Sequence, residues 1–171
     1  MTIAIGLQHQ LGVALPNLSF QARAIVDALQ LGGGRIASAT RVAQLLGLSS
    51  RFALGRMLRR DGLPGLRELA AWISIFGWVI VAERSKASLF AIATHSGRTP
   101  AVCYRTVRRL TGLTWVKVKA RGFRWVLRVF VLKCQAISCK PPTLRLPHRD
   151  SARNRHPWEP NSGTSGPGWK R

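Results

Sequence analysis

The chain is 171 residues long, enough for one ordinary domain or two very small ones. Hydrophobic residues make up 46%, which supplies a core, while 27 Lys and Arg stand against 6 Asp and Glu, a net charge of +21. So few carboxylates argue against an enzyme built on paired acids, and the charge points to polyanionic partners: DNA, RNA or an anionic membrane surface.

Residues 1–34 carry Arg23 and Asp27 and are net neutral. Their first stretch is mildly apolar but has no basic region ahead of it, so it makes a poor leader peptide. One helix is predicted here, over 17–31, with Asn17 as N-cap and Phe20, Ala24, Ile25, Ala28 and Leu29 on one stripe. Gly32, Gly33 and Gly34 end it. Helices then follow over 39–46, stopped by Gly47, and over 49–60, capped by Ser49 and ended by Gly62.

Pro64 opens a long apolar helix to about residue 83, whose stretch 69–82 has 14 residues without a charge. That falls short of the roughly 20 needed to cross a bilayer. A core helix is expected instead, with Leu66, Leu69, Ala70, Ile73, Phe76 and Ile80 inward, and Trp72 and Trp78 packing on other faces. Ser88 opens a short helix ended by Gly97, and Thr99 with Pro100 opens another ended near Gly112. A last short helix fits 114–121. The extension 123–137 contains FRWVLRVFVL, which is ambiguous between strand and helix. The segment 138–171 holds six of the nine prolines and reads as a disordered basic tail.

The chain repeats itself. Shifted by 50, Val42 falls on Ile92, Ala43 on Ala93, Gly47 on Gly97, Ser49 on Thr99, Ala53 on Cys103, Arg59 on Arg109 and Gly62 on Gly112. Each copy reads as a short helix, a glycine turn and a longer basic helix. The turn glycine supplies a left-handed backbone, and the small residue at 43 and 93 lets the second helix cross the first. The plainer alternative is a pair of ordinary helical hairpins in a basic bundle.

Two such units around one long helix resemble the DNA-binding domain of AraC-type transcriptional regulators. The likeness covers about 35–121 and rests on VAQLLGLSSRFALGRMLRR and CYRTVRRLTGLTWVKVKARG. Trp115 stands where the family usually has Pro, and Arg98 replaces the usual apolar residue after the second turn. The resemblance implies an all-α fold with a double helix-turn-helix domain at 35–122, its subdomains joined by the linker helix, and the punctuation read above places a helical N-terminal segment at 1–34 before it. It implies a sequence-specific regulator whose second helices read adjacent major-groove segments of double-stranded DNA.

Ser50, Arg51, Leu54, Tyr104 and Arg105 are then the base-contact candidates, and Arg51 and Arg105 can fork onto guanine. Ser49, Arg56, Arg59, Arg60, Thr99, Arg108, Arg109, Lys117 and Lys119 are the phosphate-contact candidates. RNA polymerase is a second expected partner, and a cytoplasmic, nucleoid-associated location goes with it.

No catalytic motif occurs, so no enzyme activity and no cofactor are expected. No small-molecule ligand is expected either, because 1–34 is too short for a sensor domain. Cys103, Cys134 and Cys139 are too scattered for a disulfide framework and fit a reducing cytosol. Cys134 and Cys139 with His148 and His156 lack a familiar zinc spacing, so no metal site is expected. The alternative function is a basic DNA- or RNA-binding protein without sequence preference. A membrane-surface role is the least favoured.

Overall fold

The computed structural model describes residues 2–139. Every regular element among them is a helix, the all-α class expected. In chain order these are α1 (Thr2–Ala14), α2 (Phe20–Leu31), α3 (Ala39–Leu45), α4 (Arg51–Arg60), α5 (Leu66–Ser85), α6 (Leu89–His95), α7 (Pro100–Thr111) and α8 (Trp115–Ser138). Among the described residues no helix is long and apolar enough to cross a membrane.

The N-terminal segment holds two helices rather than the one expected. The α1 sequence has no cap and little amphipathic pattern to announce it, and Leu7 and Leu11 are buried one turn apart. In α2 the N-cap is Ser19, not Asn17: its hydroxyl accepts from the Ala22 amide at 3.3 Å. Past α2, Gly34 donates to Leu29 O at 2.7 Å with φ of 73°. A Cβ at Gly34 would sit 2.5 Å from the Ala70 carbonyl and against the Ser74 hydroxyl. The glycine run therefore stops the helix and also lets the loop lie directly on α5.

At the centre, α5 is buried on nearly all sides, as an apolar helix without a polar face must be. Trp72 and Trp78 are buried, so both pack internally. Against α5 lies the second half of α8, which settles the ambiguous extension as helix. Phe123, Val126, Phe130 and Cys134 are buried at helical spacing. Phe76 meets Phe123 and Phe130 at centroid distances of 5.7 and 5.4 Å, and Trp72 meets Phe130 at 5.6 Å. Such offset and edge-on pairs add to the burial of the rings.

The helix expected over 114–121 is the first half of α8. At Gly122 the backbone leaves helical geometry, with φ of 74°. The Glu83 carboxylate of α5 accepts from the Phe123 amide there at 2.8 Å and caps the second half. A Lys133–Glu68 ion pair at 2.6 Å ties the same two helices further along. The tail expected from 138 gives up Ser138, the last residue of α8, and its remainder from 140 lies outside the described residues.

Cys103 and Cys134 are buried and Cys139 is exposed. Burial, with Glu68 adding to it and Lys133 opposing, pushes the Cys134 thiol up to about 12. Burial also raises Cys103, against a smaller lowering by Arg98. The thiolate is the reactive form. A thiol-specific reagent at neutral pH is therefore expected to titrate one cysteine in the native chain and three after denaturation. Fast native labelling of two or three would contradict this packing.

Candidate nucleic-acid interface

The first helix of each pair is built alike. Ser38 caps α3 by accepting from the Arg41 amide at 3.2 Å, and Ser88 caps α6 by accepting from the Ala91 amide at 3.2 Å. Both helices run seven residues. Both end in the same turn: Leu48 donates to Ala43 O at 2.9 Å and Arg98 to Ala93 O at 2.8 Å, across Gly47 and Gly97 with φ of 67° and 65°. Ala43 and Ala93 are buried at the crossing. The offset of 50 holds through this part.

It breaks in the second helices. Ser50, not Ser49, is the N-cap of α4 and accepts from the Ala53 amide at 3.2 Å, while Thr99 is the N-cap of α7. The first turn thus carries one residue more than the second. One residue turns a helix by about 100°, so the inward position moves from Ala53 to Leu54. Leu54 is 1% exposed and packs in the core with Met57 and Leu58. It is not a base-contact candidate, and the one-residue difference between the turns is the physical reason. Ser50 is likewise occupied by capping, and Ser49 stays exposed just ahead of the helix.

Counted from the caps, α4 and α7 align at an offset of 49. Leu54 then pairs with Cys103 and Leu58 with Val107, all buried. On the outer face Arg56 pairs with Arg105, Arg59 with Arg108 and Arg60 with Arg109, and all are exposed. Neither helix carries an acidic residue. The offset of 50 read from the sequence matched only Arg59 with Arg109.

The remaining candidates divide as follows. Arg51 is exposed in the first turn of α4, its guanidinium carbon 4.9 Å from the centroid of the Phe52 ring. Phe52, 64% exposed, was not among the candidates. Tyr104 is exposed beside Arg105, and Thr99 makes no side-chain cap bond, which leaves its hydroxyl free. Arg59 donates within its own helix to Gly55 O at 3.3 Å, and Arg60 lies 3.6 Å from Asp61, both leaving further donors in solvent.

Lys117 is exposed. Lys119 is not free in the way expected: its ammonium donates to Lys86 O at 3.2 Å and Ala87 O at 3.3 Å, closing the end of α5. It is removed from the phosphate set. Arg98 donates to Gly33 O at 2.9 Å and lies 5.7 Å from the Trp78 ring, so the residue that departs from the AraC-type pattern ties the second turn to the glycine loop.

The chain matches no family model, no curated protein and no solved structure. Among the described residues no group of three or more His, Cys, Asp or Glu is placed to hold a metal ion. Cys134, one of the residues weighed for zinc, faces the core instead.

Proposed function

We propose that the chain is a sequence-specific DNA-binding transcriptional regulator whose helix pairs α3–α4 and α6–α7 act as two helix-turn-helix subdomains. In this reading α4 and α7 enter adjacent major grooves. The observation that carries it is the coincidence of Arg56 with Arg105, Arg59 with Arg108 and Arg60 with Arg109 on the exposed faces of two helices aligned by their caps. A solvated basic face has no reason to keep one arginine spacing twice. A surface that meets two equivalent stretches of DNA does.

The same alignment reassigns one residue. Arg56 holds the position of Arg105, so both are base readers, and Arg51 joins them from the first turn of α4. Arg59, Arg60, Arg108, Arg109 and Lys117 meet phosphates, which set register without reading sequence. The partner is double-stranded DNA, with RNA polymerase as the second partner of a DNA-bound regulator. Association with the nucleoid follows from the first of these.

Two alanine variants separate the roles. Arg105→Ala is expected to relax selectivity at one base pair by about 1–3 kcal/mol, while Arg109→Ala weakens binding to all sequences alike and lowers the slope of affinity against salt by about one unit. Competition titrations with matched and scrambled duplexes measure both. Equal losses on every duplex for both variants would favour the alternative, a basic binder without sequence preference.

A further inference from the structure

Between the glycine loop, α5 and α6 lies a cleft of about 850 Å³ that plays no part in the DNA reading. Clefts that hold small molecules fall in this size range. Ile73, Trp78, Val81 and Ile92 form its apolar wall, and Arg35, Arg98 and His95 stand around it. Among the described residues no acidic one lines it. A cleft of this composition favours an apolar body together with an anionic group.

The two guanidiniums are held in place. Arg35 donates to Ser96 O at 2.5 Å and Arg98 to Gly33 O at 2.9 Å, one nitrogen each, so both keep donors for a carboxylate. A third observation is independent of them. Gln30, which lines this cleft and a smaller pocket beside it, has an amide nitrogen that is buried with no hydrogen-bond partner among the described residues. A buried donor left unmet is rare in folded proteins and marks this wall as incompletely satisfied.

We infer that this cleft binds a small apolar carboxylate, its body against Trp78, Val81 and Ile92 and its carboxylate on Arg35 and Arg98. The bound molecule bridges the loop after α2 and the turn just before α7. The inference stands on the cleft alone and holds whether or not the chain reads DNA.

The test is isothermal titration calorimetry on the full chain at physiological salt, with 2-naphthoate and its neutral isostere 2-naphthamide. Naphthoate is expected to bind one saturable site about tenfold or more tighter than naphthamide, the difference being the charge-assisted contact. Gly77 gives a clean block. It lies on the cleft wall within α5, and a Cβ there meets nothing within 4 Å. Gly77→Leu fills the space, leaves the helical circular dichroism unchanged and abolishes the site.

Replacing Arg35 and Arg98 together by Gln brings naphthoate down to the level of naphthamide. Absence of saturable naphthoate binding, equal binding of the two compounds, or undiminished binding in a folded Gly77→Leu chain would each overturn the inference.

Discussion

Phe76→Ala is expected to destabilise the fold by about 3–5 kcal/mol, the cost of truncating a fully buried aromatic whose surroundings cannot collapse. Phe76 is fully buried and touches rings from both helices that form the core: Trp72 at 6.3 Å on its own helix, and Phe123 and Phe130 across from it. The side chain thus joins α5 to the second half of α8, and its loss leaves a void between two long helices. Urea unfolding followed by circular dichroism measures the change. In combination with Phe130→Ala the losses should fall short of additive, because the two rings share one contact. A loss below about 1 kcal/mol would mean that α8 does not pack on α5 as described.

The second large effect is on affinity. The exposed arginines of α4 and α7 are assigned chiefly to phosphates, and each phosphate neutralised releases counterions from the duplex. For the five such contacts of Arg59, Arg60, Arg108, Arg109 and Lys117, raising salt from roughly 50 to 200 mM is expected to weaken DNA binding by about 500-fold. Fluorescence anisotropy on a labelled duplex across a salt series gives the slope directly. The glutamine variants of Arg59, Arg60, Arg108 and Arg109 should each flatten it, whereas a Leu54 variant should change stability rather than slope. A nearly flat salt response would remove the electrostatic basis of the reading.

Much of the helical punctuation was legible because single residues carry it. Gly47 and Gly97 adopt the left-handed turn expected of them, and Ala43 and Ala93 occupy the crossing. The buried character of α5 followed from its uncharged run. Two features were hidden for physical reasons. The extension after Gly122 is rich in β-branched and aromatic residues, which suit either a strand or a buried helix; only the α5 surface it covers decides between them.

The outward face of α4 was hidden by the cap. Ser49 and Ser50 are both good N-caps, and the choice between adjacent serines rotates every side chain that follows. That choice turned Leu54 inward and brought the arginines of the two copies into register. Lys119 was misread for a different reason. Its charge was visible in the sequence, but the carbonyls of Lys86 and Ala87 that engage it are brought near only by the tertiary fold.

The decisive experiment on two arginine-bearing helices reading DNA together is repeated selection of fragments bound from random duplex DNA, followed by sequencing. Two short conserved blocks about one helical turn apart should be enriched, each with a guanine whose preference is lost in Arg56→Ala or Arg105→Ala respectively. A bound pool as random as the starting library, or one block insensitive to both substitutions, would contradict joint reading by the two helices.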